Sequence, residues 1–148
     1  MTIPFRVRIP FVEHLGFELQ RFHGGEAEIT VPAREELTNS WGVAHGGLIM
    51  TLLDVVMAHA ARSPDTPDGE AQPGVVTIEM KTTFMRPGQG ALRGKGRLIH
   101  RTASLAFCEG HVYAEDGSLA AHATVTFKYM RGLPVGGGRR IQKLSASD

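Results

Sequence analysis

The sequence predicts an α+β domain in which one long central helix is wrapped by an antiparallel sheet of five to six strands. A run from Gly46 to about Arg62 is almost entirely apolar and is too long for an ordinary strand. Several segments rich in strand-forming residues follow this run, and turn residues separate them. Two further strand candidates precede it. The expected order is therefore strand, strand, helix and then about four long strands.

The first two strands are predicted as a hairpin. A short segment that contains Pro4 and Pro10 leads to residues 15–19, which are mostly apolar. The pair Gly24 and Gly25 then marks a tight turn before residues 26–31, where polar and apolar side chains alternate. A loop over residues 32–44 connects this hairpin to the helix.

The helix is predicted from Gly46 to about Arg62 because Leu, Met and Ala dominate the run and favour helix over strand. It is apolar on nearly every side, so it should be the buried centre of the domain. Residues 63–74 are polar and rich in Pro and Gly, and we expect them to form a mobile connection.

Four strands are predicted after this connection, over residues 75–85, 91–100, 106–114 and 119–130. The last two are joined by residues 115–118, where Asp116-Gly117 is a strong hairpin signal. We expect a single domain over residues 1–131. Residues 132–148 form a basic, Gly-rich tail, which we expect to be disordered.

The composition is that of an ordinary globular domain. The 148 residues are 42% hydrophobic and 21% charged, and the formal net charge of +1 gives no reason to expect nucleic acid as a partner. No apolar run is long enough to span a bilayer, and the N-terminus does not resemble a signal peptide. Cys108 has no second cysteine with which to form a disulfide. We therefore expect a cytoplasmic protein without a membrane partner.

One acidic residue interrupts the apolar helix. Asp54 lies in its middle, nine positions after His45, and His45-Gly46-Gly47 stands at the helix start. A buried carboxylate without a partner is unfavourable by several kcal/mol or has a raised pKa. Asp54 is therefore either a structural acid bonded to a neighbouring element or part of a functional site.

These residues carry a resemblance to a known family. Asn39, His45-Gly46-Gly47 and Asp54, at this spacing, resemble the hot dog-fold acyl-CoA thioesterases of the phenylacetate-degradation type, within the 4-hydroxybenzoyl-CoA thioesterase superfamily. The resemblance extends over roughly residues 12–130. It includes the segment MKTTFMRPG, residues 80–88, which is similar to the strand that follows the helix in that family.

The resemblance implies an enzyme that hydrolyses an acyl- or aryl-acyl-CoA to the free acid and coenzyme A. It implies that Gly46 donates its N–H to the oxyanion and that Asp54 acts as general base or as nucleophile. Asn39 would lie on the oxyanion side, and the Thr77 hydroxyl would bind the attacking water. The family's sites are shared between subunits, so a homodimer would be the minimal active unit, within a homotetramer built as a dimer of dimers.

Elementary chemistry agrees with part of this assignment. Backbone N–H groups at a helix start are unpaired within the helix and suit a developing oxyanion, and Gly46 or Gly47 offers one without an obstructing side chain. Gly46 and Asp54 are eight residues apart, which is about 12 Å along one helix. Gly46 and Asp54 of one chain therefore cannot both reach the same carbonyl. Antiparallel helices in a two-fold dimer would bring Asp54 of one subunit opposite Gly46 of the other.

Other assignments stay open at this stage. His45 could polarise the thioester carbonyl or brace the Asn39 loop, and Asn39 itself could be an ordinary turn residue. Candidates for binding coenzyme A, in addition to Gly47, are the basic residues Arg86, Lys95, Arg97 and Arg101, which could equally serve solubility. Trp41, Phe84 and Met50 could line an acyl pocket.

Cofactors and other functions are judged from motifs. No close-spaced metal-ligand motif is present, so we expect no metal and no cofactor, coenzyme A being part of the substrate. A hot dog-fold dehydratase or hydratase would also use a His with an acid, but it would direct them at the carbons beside the carbonyl. A non-catalytic acyl-CoA-binding protein is the third possibility.

Overall fold

The computed structural model describes residues 2–134 and 140–146. Six antiparallel strands form one sheet in this part of the chain. Their bounds are β1 Glu18–His23, β2 Glu26–Val31, β3 Gly74–Phe84, β4 Leu92–Arg101, β5 Leu105–Tyr113 and β6 Leu119–Met130. Their order across the sheet is β1-β2-β4-β5-β6-β3. The long helix α2, Gly46–Arg62, packs against the sheet. The predicted fold class, a hot dog fold, is confirmed.

The N-terminal region differs from the sequence-based expectation. A short helix, α1, spans Pro10–Leu15, within the segment that was expected to lead into the first strand. That strand, β1, spans Glu18–His23 and not residues 15–19. Pro10 is suited to the first helical turn because it lacks an N–H that would be unpaired there. Gly16 ends the helix in the left-handed conformation, with φ 76°. The hairpin turn at Gly24 and Gly25 is as predicted, and both glycines have positive φ.

Helix α2 begins and ends where the sequence predicts. Its buried side chains form the centre of the core, together with inward-facing residues of all the sheet's strands except edge strand β3. One stripe of the helix stays accessible in the single chain, however, contrary to the expectation of burial on nearly every side. This stripe contains Gly47, Met50, Thr51, Asp54 and Ala58.

Three glycines allow α2 to lie directly on the sheet. A Cβ on Gly96 would stand 2.6 Å from the carbonyl oxygen of Val56, and one on Gly94 would stand 2.9 Å from Leu52. Gly110 would likewise meet Met57 at 2.9 Å. Real side chains do not approach this closely, so the contact requires glycine on β4 and β5.

The outer parts of the described chain frame this core. Strand β3 is an edge strand that pairs only with β6. In the tail, β7 (Leu133–Pro134) pairs with β8 (Arg140–Ile141), and Val7 forms a bridge with Ser145. The division into a domain of residues 1–131 and a disordered tail stays a prediction. Within the described residues, no helix is long and apolar enough to cross a membrane.

Candidate active site

Asp54 and Thr77 meet between the middle of α2 and the edge strand β3. The Thr77 hydroxyl donates a hydrogen bond of 2.7 Å to Asp54 Oδ1. Burial raises the pKa of Asp54 above its ordinary value, and the Thr77 hydrogen bond offsets part of that rise. The structure therefore places a partly buried carboxylate, with one defined hydroxyl partner, on the accessible stripe of the helix.

A β-bulge lies directly beside Thr77. The pairing of β3 with β6 shifts register between Thr77 and Glu79, which leaves Ile78 as the extra residue. Bulges bend a strand and change the direction in which a side chain points, and they are frequent beside active sites. The irregularity in β3 therefore occurs at the position where Thr77 meets Asp54.

The two glycine amides at the start of α2 are not equivalent. His45 is the N-cap residue, and its Nδ1 accepts a hydrogen bond of 2.8 Å from the N–H of Gly47. No acceptor among the described residues bonds the N–H of Gly46. Since Nδ1 accepts, the ring proton of neutral His45 is on Nε2. Gly46 therefore offers the free helix N-terminal donor, while Gly47 is occupied by the cap.

Asn39 organises the loop in front of the helix. Its Oδ1 accepts from the N–H of Trp41 at 2.9 Å and from that of Val43 at 3.3 Å. Gly42 turns the loop with φ 77°. These bonds are those of an Asn in a turn, the second reading left open above, and they leave the Nδ2 donor without a partner among the described residues.

The three residues considered for an acyl pocket lie near the helix start or on its open stripe. A Cβ built on Gly46 would contact the Phe84 ring at 3.7 Å, so this ring lies against the candidate oxyanion donor. Trp41 is 87% exposed, and Phe84 and Met50 are exposed as well. In the single chain these three side chains are therefore exposed apolar groups, and Phe84 is the one that lies against Gly46.

The four basic residues are dispersed. Lys95 and Arg97 alternate with the inward-facing Gly94 and Gly96, so they point away from α2, and they pair with Glu28 and Glu109, respectively. Arg101 ends β4. Only Arg86, just beyond β3, is close in sequence to Phe84 and thus to the start of the helix.

The sequence reading missed a group of side chains on that outer face. Glu109, His111 and His122 present possible ligand atoms within 4.8 Å of one another. The spacing of Glu109 and His111 on one strand, together with the hairpin that sets His122 opposite His111, is the signal that could have found them. Glu109 already pairs with Arg97 and His122, and the group lies across the sheet from Asp54.

Two cavities adjoin α2. The larger, of about 320 Å³, lies beside the helix start, but none of the five predicted catalytic residues lines it. The other, of about 240 Å³, is lined by both Asp54 and Thr77. We take the second as the candidate substrate cavity because it contains the perturbed carboxylate and its partner.

This arrangement, a glycine-led helix carrying an acid and packed on an antiparallel sheet, is that of the hot dog fold. The family model of the thioesterase superfamily matches residues 42–121, which include the helix and most of the sheet. The chain belongs to the thioesterase superfamily.

Individual relatives agree with this membership. A Saccharolobus solfataricus protein, by name a candidate esterase, is 31% identical over 72% of this chain and 74% of its own length. The medium/long-chain acyl-CoA thioesterase YigI of Salmonella typhimurium is 25% identical over 83% of this chain and 87% of its own. The solved structure of a phenylacetic acid degradation-related protein from Ralstonia eutropha has a TM-score of 0.69 and 29% identity, covering 82% of this chain and 91% of that one.

Proposed function

We propose that this protein is an acyl-CoA thioesterase of the phenylacetate-degradation type, and that its active sites are assembled across a homodimer interface. The observation that carries the proposal is the pairing of a partly buried Asp54 with the Thr77 hydroxyl, on a helix whose first N–H, that of Gly46, has no acceptor among the described residues. A base or nucleophile and an oxyanion donor are the two groups that thioester hydrolysis requires.

In the proposed reaction, the thioester carbonyl oxygen accepts a hydrogen bond from the Gly46 N–H, at the positive end of the helix dipole. Asp54 then either removes a proton from water, which attacks the carbonyl carbon, or attacks that carbon itself to form a mixed anhydride that water hydrolyses. Thr77 positions the carboxylate, and would also be placed to bind the attacking water. Collapse of the tetrahedral intermediate expels the coenzyme A thiolate, which leaves as the thiol after protonation.

His45 and Asn39 act on the oxyanion side in this proposal. The His45 cap occupies Gly47 and thereby leaves Gly46 as the donor, so we assign His45 a positioning role. Asn39 fixes its loop through Oδ1, and its Nδ2 remains to orient the water or the substrate. Because Gly47 is occupied, its proposed role in binding coenzyme A is limited to allowing close approach.

Three features of the single chain support a dimer. Gly46 and Asp54 are about 12 Å apart along one helix. The edge strand β3 leaves one row of backbone groups without a neighbouring strand, and it carries or adjoins the exposed Ile78, Phe84 and Met85. An exposed apolar edge strand of this kind favours association with another chain. A second copy related by a two-fold axis would cover this edge and would bring its own Gly46 toward Asp54. A dimer of such dimers extends the same proposal.

The proposed substrates are coenzyme A esters with an acyl group of medium length or with an aryl-acetyl group. Exposed apolar side chains, among them Phe84 against Gly46, favour these over acetyl. Among the basic residues, Arg86 is the best placed to meet a coenzyme A phosphate near the helix start. Lys95, Arg97 and Arg101 stay predictions from sequence, since two of them are paired on the other face of the sheet.

The test is to incubate the purified chain with a panel of acyl-CoA esters and to measure hydrolysis as thiol release, with and without EDTA. We expect turnover of medium-chain or aryl-acetyl esters that exceeds turnover of acetyl-CoA and is insensitive to EDTA. Hydration or dehydration of an unsaturated or hydroxylated acyl-CoA without thiol release would instead identify a hydratase or dehydratase. Tight acyl-CoA binding without turnover would identify a binding protein.

A further inference from the structure

The cavity beside Asp54 is a channel between α2 and β3, which we call the α2–β3 channel. Its lining runs along the helix from Asp54 to Arg62 and along the strand from Thr77 back to Gly74. Asp54 and Thr77 are hydrogen-bonded to each other, so they mark one end. Arg62 and Gly74 mark the other, about 12 Å away along the helix and about 10 Å along the strand.

The middle of the α2–β3 channel is apolar. Val55 and Ala58 line it from the helix, and Val75 and Phe127 line it from the sheet. A segment of hydrocarbon chain suits these walls, because burying apolar surface on both partners is favourable. An acyl chain whose carbonyl lies at Asp54 would therefore extend along this stretch.

The far end is cationic. Arg62 is only 6% exposed, its Nε has no hydrogen-bond partner, and no carboxylate among the described residues forms an ion pair with its guanidinium. Its guanidinium lies 5.9 Å from the centre of the Phe22 ring, which accepts no strong hydrogen bond. Lys143, from the tail, lines the same end. A buried guanidinium without an anionic partner is unfavourable, so this end lacks a counter-charge.

The other polar groups of the channel do not provide that charge. Asp54 is the one acid that lines the channel within the described residues, and it lies at the opposite end. Burial lowers the pKa of His59 to about 4, so its ring is neutral near pH 7. Arg8, also in the lining, is ion-paired with Glu13.

We propose that the acyl chain of the substrate ends in a carboxylate, and that Arg62 and Lys143 bind this carboxylate while Asp54 serves the thioester. The inference rests on the proposed thioesterase function and specifies its substrate class. Arg matches a carboxylate with two parallel N–H donors. A hydrogen-bond contact of about 3 Å to the guanidinium takes up part of the span of about 10 to 12 Å. At roughly 1.2 Å per bond, as in an extended backbone, the remainder takes a dicarboxylic chain of about seven or eight carbons.

The test compares coenzyme A esters that differ only at the chain end. Suberoyl-CoA is paired with octanoyl-CoA, and pimeloyl-CoA with heptanoyl-CoA, with kcat/KM measured by thiol release. We expect the wild-type chain to prefer the carboxylated ester of each pair by about tenfold or more, the factor that one added charge-assisted contact of about 1.4 kcal/mol supplies. Arg62→Met should abolish this preference while changing octanoyl-CoA hydrolysis by less than about threefold, because a neutral chain end makes no ion pair with Arg62.

Two further variants accompany Arg62→Met. Lys143→Met changes an exposed side chain and should reduce the preference about threefold or more without affecting folding, so a result is obtained even if Arg62→Met fails to fold. Arg93→Met, at an exposed position on β4 that does not line the channel, is the matched control and should behave as the wild type. Thermal unfolding of each variant accompanies the kinetics.

N-acetylcysteamine thioesters of the same acids carry no phosphate. They therefore distinguish binding of the terminal carboxylate from binding of the coenzyme A phosphates. Persistence of the suberoyl preference with these esters supports the inference. Hydrolysis of octanoyl-CoA without any preference for the carboxylated ester overturns the inference and leaves the thioesterase function intact. An equal decrease in kcat/KM on all coenzyme A esters in Arg62→Met has the same meaning. If no thioester is hydrolysed, the proposed function fails first and this inference fails with it.

Discussion

The hydroxyl of Thr77 lies 2.7 Å from the carboxylate of Asp54 and donates a hydrogen bond to it, although 23 residues separate the two in sequence. The bond joins the middle of the long helix to the edge strand of the sheet. It stabilises the charged form of a carboxyl whose burial favours the neutral form.

Asp54→Asn should reduce kcat on the best acyl-CoA substrate by at least about 10²- to 10⁴-fold, because an amide can neither accept a proton from water nor attack the carbonyl. The amide oxygen can still accept from Thr77, so the variant should fold. Asp68→Asn, on an exposed loop, is the control and should retain full activity. Retention of a tenth of the activity by the Asp54 variant would exclude both catalytic roles.

Thr77→Val should move the acidic limb of the kcat/KM profile to higher pH. The Thr77 hydrogen bond lowers the pKa of Asp54, so its loss lets burial raise that pKa further, and more alkaline conditions are needed to ionise the carboxyl. Thr77→Ser keeps the hydroxyl and should restore the wild-type profile. A valine variant whose limb does not move would show that Thr77 has no influence on the ionisation of Asp54.

Gly46→Pro tests the oxyanion donor. Proline is accepted at the first helical position but carries no N–H, and the extended His45 before it, with ψ 139°, is compatible with a following proline. We expect kcat to fall about 10²- to 10³-fold. Gly46→Ala keeps the N–H and places its Cβ at an ordinary 3.7 Å from Phe84. In this variant kcat should therefore fall less than about tenfold. Similar losses in both variants would point to shape as the cause.

Subunit mixing tests the shared site. An Asn39→Ala chain and an Asp54→Asn chain damage different halves of each proposed composite site, so a heterodimer regains one intact site of two. Random exchange makes about half of the dimers heterodimers, and activity should therefore approach roughly a quarter of wild type. Exchange demonstrated by mass spectrometry, without recovery of activity, would place each site within one chain.

Asp54 should also limit stability. A carboxyl whose pKa is raised by folding stabilises the folded state below its unfolded pKa and loses that contribution as pH rises through the folded value. Asp54→Asn should consequently unfold at a higher temperature than the wild type at pH 7.5, with a smaller difference near pH 4. Asp68→Asn provides the reference in the same scans. Equal midpoints for all three proteins at pH 7.5 would contradict the prediction.

Local signals explain how much of the fold could be predicted. The bounds of α2 follow from its apolar run, and both tight hairpin turns follow from their glycines, because these features are encoded within a few neighbouring residues. The short helix α1 was missed, although Pro10 and Gly16 are its start and stop signals. The order of the strands could not be derived, since β3 pairs with β6 across a long stretch of sequence.

The candidate site was only partly predictable for a similar reason. The glycine amides and Asp54 stand out locally, and the helix cap formed by His45 involves a residue only two positions away. The bond from Thr77 to Asp54 depends on the register of β3 and on its bulge, and it was not predicted. The family resemblance had pointed to Thr77 only as a partner of the attacking water. The cationic end of the α2–β3 channel was not predicted from the sequence either, because Arg62 and Lys143 come together only in the folded chain.

Gly94, Gly96 and Gly110 touch neither Asp54 nor Thr77, yet they determine how closely the helix seats on β4 and β5. A methyl group at Gly96 would collide with the helix backbone at 2.6 Å and would have to lift or tilt the whole helix. Asp54 travels with that helix, whereas Thr77 stays with the strand. The position of Asp54 relative to Thr77 therefore depends on three places on the sheet where the helix leaves no room for a side chain larger than a hydrogen atom.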